Sequence, residues 1–189
     1  MKSRFCFNLG IRDNVLNFFK IIFSQEKSAD QSLSENLKKY YTNSQFYFFD
    51  YGRTALYEIL SQIKLKTNKR TVIVNSFTLF EVINIIIYSG FKPFFIDTEN
   101  NSFHTDIKLQ KMENKLDDVA CIIISHLNGA NKNIVTIKRE IDDYEKKNKK
   151  IYLIEDCAVS FGAILENKFV GSFGDFSFLS FNIMKNITS

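Results

Sequence analysis

The chain reads as an α/β protein built on an open, mostly parallel sheet with helices on both faces. Three observations carry that reading. From about residue 45 onward, short β-type apolar runs alternate with segments of helical period. The runs TVIVN (71–75), VACIIIS (119–125) and IYLIE (151–155) are apolar almost throughout, as strands covered on both faces are. The β-α-β-α repetition is that of crossover connections in a parallel sheet, and 189 residues, 45% of them hydrophobic, supply a sizeable core for one domain.

The elements follow in order. Val15 to Phe23 and Leu33 to Tyr41 have amphipathic spacing and are expected to form an N-terminal helical arm over residues 1–44. The main body, residues 45–189, opens with a helix over Arg53 to Ile63, whose Leu56, Ile59, Leu60 and Ile63 share one stripe. Thr71 to Asn75 is a buried strand. Phe80 to Ser89 is a mostly buried helix with Gly90 as its C-cap. Lys92 to Asp97 is the next strand, with Pro93 near its start, where proline is tolerated. Asp106 to Asn114 is expected to be a helix capped by Thr105 or Asp106. Val119 to Ser125 is a strand. Ile134 to Lys147 is a helix with Ile137, Ile141 and Tyr144 on one stripe, and Ile151 to Glu155 is a strand. Gly162 to Leu165 and Phe176 to Ser180 close the series as further strands, separated by turns at Gly171 and Gly174.

Composition excludes several functions. A net charge of +4 with scattered basic residues does not describe a nucleic-acid-binding surface. The densest basic run, Lys146-Lys147 and Lys149-Lys150, reads as the solvated end of a helix. Cys6, Cys121 and Cys157 show no CxxC spacing, and the latter two sit in apolar runs, so they read as reduced core residues of a cytoplasmic protein. Two histidines far apart in the chain give a metal site little support. Met1 to Gly10 lacks the apolar core of a signal peptide, and the longest apolar run, Val82 to Tyr88, is broken by Asn84 and too short to cross a bilayer. No GxGxxG follows any strand, which removes a dinucleotide-binding reading.

Ligands of open parallel sheets bind at the carboxyl ends of the strands. Polar or small residues fall there repeatedly: Asp156 after IYLIE, Asn75-Ser76-Phe77-Thr78 after TVIV, Ser125-His126-Leu127-Asn128-Gly129 after ACIII, and Ser180 to Lys185 after the last strand. Gly52-Arg53-Thr54-Ala55 opens the first helix of the main body. Each alone has a plain reading: an Asp capping a turn, a Ser capping a helix, a Lys on the surface. An acid at one strand end with a lysine about one strand-pair later can, however, hold a pyridoxal ring, and the pairing suggests covalent amine chemistry.

Two segments carry a more specific signal. VIVNSFTLFEVINIIIYSGFKPFFIDTENNSFHTD and IYLIEDCAVSFGAILENKFVGSFGDFSFLSFNIMKNIT resemble the DegT/DnrJ/StrS-type family of PLP-dependent sugar aminotransferases. That family has an Asp after a hydrophobic strand, then GSFGD, then SF…KN.T. Gly171-Ser172-Phe173-Gly174-Asp175 is identical to the middle element, and the resemblance runs from about Phe46 to the C-terminus.

The resemblance implies a fold type I, aspartate aminotransferase-like large domain binding pyridoxal 5′-phosphate. Lys185 would carry the cofactor as a Schiff base and then move the proton of the reaction. Asp156 would pair with the protonated pyridine nitrogen. The backbone N–H groups of Arg53 and Thr54, at a helix N-terminus, would hold the phosphate, with the Ser180 hydroxyl beside them and Leu79 against the ring face. Glutamate would donate the amino group to a nucleotide-linked keto-sugar, in surface-polysaccharide or amino-sugar biosynthesis. A homodimer would close the pocket. There are departures from the family's pattern: Leu79 stands where an aromatic is frequent, Val159 where a Gln is common, and Arg53 where a Thr is frequent. The family continues past the lysine into more sheet and a small domain, whereas this sequence stops four residues on. The competing expectation is therefore a catalytically incompetent, truncated remnant.

Overall fold

A computed structural model describes residues 29–100, 102–105, 107–127, 129–146 and 150–181. The chain divides into two compact units, Phe49–Ser180 and Met1–Phe48 with Phe181–Ser189. In the latter, helix α1 spans Ala29–Leu37, earlier than the expected Leu33 to Tyr41. It stops at Leu37 because the amides of Tyr40 and Tyr41 both turn back to the Leu37 carbonyl. Tyr41 and Phe46 then meet edge to face, 6.4 Å between ring centroids. The expected helix at Val15 to Phe23 lies outside the described residues.

The larger unit is an α/β sheet. Its elements are α2 (Gly52–Lys66), β1 (Thr71–Asn75), α3 (Phe80–Tyr88), β2 (Lys92–Ile96), a 3-10 turn (Leu109–Met112), α4 (Glu113–Leu116), β3 (Val119–Ser125), α5 (Ile134–Glu145) and β4 (Tyr152–Asp156). These are followed by β5 (Ile164–Leu165), β6 (Lys168–Phe169) and β7 (Phe176–Phe178). The sheet runs β2-β1-β3-β4-β7, with every neighbouring pair parallel. Pro93 sits on the edge strand β2, where a missing N–H costs no ladder bond on the open side.

Strand alternation sorts the core into two layers. Val72, Val74, Cys121, Ile123, Ile154 and Phe178 face α2 and α3, and pack on Leu56, Leu60, Val82 and Ile86. Ile73, Ile122, Ile124 and Leu153 point the other way, onto Ile134, Ile137 and Ile141 of α5 and onto Leu109 and Leu116. Gly90, at φ +82, closes α3 with the Phe91 amide returning to the Ile86 carbonyl.

Three local expectations need correction. The helix expected at Asp106 to Asn114 is instead a 3-10 turn followed by the single turn of α4. Thr105 caps nothing there: it pairs with Thr98 in a β-bridge, and its buried hydroxyl accepts from Asn75 Nδ2 and Asn131 Nδ2, each at 3.2 Å. Gly162 to Leu165 is not a strand of the main sheet. Ile164–Leu165 pairs antiparallel with Lys168–Phe169 in a hairpin whose turn residues Glu166 and Asn167 both have positive φ, 48° and 61°, the conformation of a tight hairpin turn. Of the basic run, Lys146 is the exposed C-cap of α5, as expected, whereas the Lys150 ammonium bridges Glu145 (3.1 Å) and Asp175 (2.8 Å). Among the described residues, no helix is long and apolar enough to cross a membrane.

Candidate functional site

Asp156 is the last residue of β4 and 8% exposed. Alternation from Ile154 turns its side chain to the α2 face. It sits in register with Ser125 of β3 on one side and Phe178 of β7 on the other. Its carboxylate is oriented from both ends: the Ala158 N–H donates to Oδ1 at 3.1 Å and the Ser125 hydroxyl to Oδ2 at 3.4 Å. The first of these is the tight Asx turn that an Asp after a strand commonly makes.

The N-terminus of α2 lies on the same face. Gly52 is packed close to Phe178, such that a Cβ built on it would sit 3.9 Å from that ring. Tyr51, the N-cap, is extended and gives no side-chain cap. The amides of Thr54 and Ala55 both donate to the Tyr51 carbonyl, at 3.0 and 3.2 Å. Of the two amides expected to hold a phosphate, Thr54's is therefore already engaged. Those of Gly52 and Arg53 have no acceptor among the described residues, as the first turn of a helix leaves them. The Arg53 guanidinium stacks on the Tyr51 ring at 4.3 Å.

Leu79 is the N-cap of α3, and α3 covers the same sheet face; its side chain is 60% exposed. Ser180 lies two residues past β7 and is half-buried. The structure thus brings Asp156, the opening of α2 and the opening of α3 to one face and one end of the sheet, with Ser180 following β7 at that end. Lys185 lies outside the described residues.

A second cluster, unforeseen from the sequence, occupies the opposite face. Glu155 and His126 are both fully buried, with Nε2 3.0 Å from Oε2. The Asn131 N–H donates to His126 Nδ1 at 2.9 Å, so Nε2 carries the proton and donates to Glu155. Glu155 also accepts from Gly171 N (2.7 Å), Phe173 N (2.7 Å) and Gly174 N (2.6 Å). The signal that was available is a charged residue at an inward position of a doubly covered strand; buried charges are held by several partners. The GSFGD element is the other half of this arrangement: Asp175 accepts from Leu153 N at 2.8 Å, and a Cβ on Gly174 would meet the Leu153 carbonyl at 2.7 Å.

His126, Glu155 and Cys157 together place three ligand-type atoms within 4.8 Å. Hydrogen bonds already occupy both imidazole nitrogens and both carboxylate oxygens. Burial, then the neighbouring Glu155 and Asp156 charges, pushes the Cys157 thiol well above its usual range, away from the thiolate a metal needs. The trio works as a satisfied core cluster. A cavity of about 180 Å³ opens at the carboxyl end of β3, lined by Phe103, His104, Ser125 and Asn131 among others. It adjoins Asp156 through Ser125 and is smaller than the roughly 300–1,000 Å³ of typical small-molecule sites.

A parallel α/β sheet with a buried acid at one strand end and an open helix N-terminus beside it defines the class of open α/β proteins that offer a ligand site at the carboxyl ends of their strands. Sequence comparison makes the assignment specific. Residues 19–189 match the DegT/DnrJ/EryC1/StrS aminotransferase family, and the chain belongs to it. GDP-perosamine synthase of Escherichia coli O157:H7 is 36% identical over 141 residues, which are 73% of this chain and 36% of that protein. GDP-perosamine synthase of Vibrio cholerae is 32% identical over 139 residues, again 73% and 36%. The fold is that of the putative sugar aminotransferase Spr1654 from Streptococcus pneumoniae in its PLP-form, with a TM-score of 0.79 at 19% identity over 94% of this chain and 48% of that one. The chain thus spans between about a third and a half of the length of these relatives.

Proposed function

We propose that this chain forms the cofactor-holding part of a PLP-dependent aminotransferase that passes an amino group, from glutamate, to a nucleotide-linked keto-sugar. The observation that carries the reading is the placement of the buried Asp156 carboxylate and the uncapped α2 N-terminus on one face and at one end of the sheet. A ring with a basic nitrogen at one end and a phosphate at the other needs those two complements. The substrate class is supported by the GDP-perosamine synthases to which the chain is similar.

Pyridoxal phosphate supplies an electron sink that makes the α-proton of an amino acid labile. The residues around it would divide the remaining work. Asp156, fixed by the Ala158 amide and the Ser125 hydroxyl, would keep a proton on the ring nitrogen. The Gly52 and Arg53 amides, aided by the 15-residue α2 dipole, would hold the phosphate, with the Ser180 hydroxyl as a further donor. Leu79 would cover one ring face by apolar contact alone. Lys185 would anchor the cofactor and carry the proton between the two carbon positions. A lysine at 185 favours transamination. Residues 45–189 would make up this cofactor domain and residues 1–44 its arm. The cavity beside Ser125 is too small for a nucleotide-sugar, and a second copy of the chain would complete the pocket.

A single-turnover assay tests the reading. The chain saturated with pyridoxal phosphate and mixed with glutamate should release one equivalent of 2-oxoglutarate per bound cofactor. Cofactor binding with no 2-oxoglutarate, at any glutamate concentration, would instead support the remnant that cannot catalyse.

A further inference from the structure

We infer that Glu155 is a positioning residue for the cofactor pocket: it holds the Gly171–Gly174 turn, and through it β7 and Ser180, in place beside Asp156. The inference rests on the proposed function for what the pocket binds. Four donors converge on a carboxylate with no exposed surface. Oε1 accepts from Phe173 N and Gly174 N, and Oε2 from Gly171 N and His126 Nε2. Convergent backbone N–H groups form an anion-binding nest, and here the anion is the protein's own side chain.

The connection to the pocket is short. Glu155 and Asp156 are consecutive in β4 and so face opposite sides of the sheet. The same strand end therefore grips the turn on one side and presents the pocket acid on the other. The turn leads directly into β7, whose Phe178 pairs with Asp156, and Ser180 follows two residues later. Asp175 donates its backbone N–H to the Leu153 carbonyl at 2.8 Å and so fastens the start of β7. Gly174 lies so close to the same carbonyl that no Cβ fits. A turn that loses its central anion cannot keep this approach, and Ser180 moves relative to Asp156.

Glutamine at 155 preserves the shape but converts one acceptor oxygen into a donor. Whichever way the amide is set, two donors lose their acceptor: Phe173 and Gly174, or Gly171 and His126. The experiment compares Glu155→Gln with wild type and with Ile137→Ala, a core truncation on the same sheet face that removes none of these hydrogen bonds. Amide hydrogen exchange is measured on the chain without ligand, and pyridoxal phosphate binding is measured by absorbance titration well below the melting temperature. In Glu155→Gln the amides of residues 173 and 174, or that of residue 171, should exchange at least tenfold faster, and pyridoxal phosphate should bind at least tenfold more weakly. Ile137→Ala, at equal or greater loss of thermal stability, should change neither by more than about twofold. His126→Gln leaves the three amides on Glu155 and is the milder second variant, with an expected three- to tenfold loss of affinity. Unchanged exchange at the turn, or affinities that simply follow thermal stability, would overturn the inference while wild-type binding stands. A wild-type chain that takes up no pyridoxal phosphate would sink the reading of the pocket and this inference together.

Discussion

Asp156 owes its position to alternation in β4, and its carboxylate is oriented by donors that include the local Ala158 amide and the Ser125 hydroxyl of the neighbouring strand. Its proposed charge is the part that matters chemically. Asp156→Asn keeps the size and removes that charge, so the glutamate half-reaction, followed by stopped-flow absorbance at saturating cofactor, should slow by at least about 100-fold, the scale of losing a proton-managing group. An unchanged rate would take Asp156 out of the site. Glu99 makes a separate prediction at the same scale. The Asn133 side-chain amide, then Lys132, hold its carboxyl at about 2, below the ordinary 4.5. A depressed carboxyl contributes stability that is present above its unfolded value and is lost as pH falls through its folded one. Glu99 should therefore support the fold fully above about pH 4.5 and lose that contribution between there and about pH 2. Glu99→Gln should lower stability at neutral pH and converge on wild type as the pH falls toward 2, flattening this window of the acid-denaturation curve; an identical acid limb would contradict the pairing.

At the scale of elements, the five-stranded sheet was legible because its central strands are nearly continuous apolar runs, and α2, α3 and α5 because their apolar spacing has the right period. What escaped was set by contacts distant in sequence or by unusual turn chemistry. The Glu166-Asn167 turn lacks the glycine that usually marks a tight hairpin. The 106–114 segment has helix-like spacing, yet the chain just before it is held in the Thr98–Thr105 bridge. The His126–Glu155 pair joins residues 29 apart. Of the candidate site, the strand-end acid and the helix opening were readable. Which amides of α2 remain open was not, because it depends on both Thr54 and Ala55 turning back to Tyr51. Gly52→Pro tests that helix start directly. Tyr51 is already extended, as a residue before proline prefers, and proline suits the first helical position. The variant should keep its thermal stability and bind pyridoxal phosphate about fivefold more weakly, the order of one hydrogen bond; equal binding would move the phosphate elsewhere. Gly174→Ala, with a Cβ 2.7 Å from the Leu153 carbonyl, should cost about 1–3 kcal/mol in denaturant unfolding, and a neutral result would mean that the turn shifts freely.

For the whole molecule, the family assignment and the fold agree, and the chain supplies a parallel sheet whose carboxyl end brings the buried Asp156 close to the open start of α2. The substrate, the second copy and the arm belong to the proposal, since the matched relatives are two to three times longer than the part this chain covers. The central claim is that a lysine of this chain holds the cofactor within reach of Asp156. The most direct measurement is borohydride reduction of the chain after incubation with pyridoxal phosphate, followed by peptide mass spectrometry, with Asp156→Ala in parallel. The account predicts a stable pyridoxyl adduct on Lys185 at close to one per chain, and a much lower yield at that lysine in Asp156→Ala. A statistical spread over surface lysines such as Lys66 and Lys146, unaffected by the loss of Asp156, would contradict it.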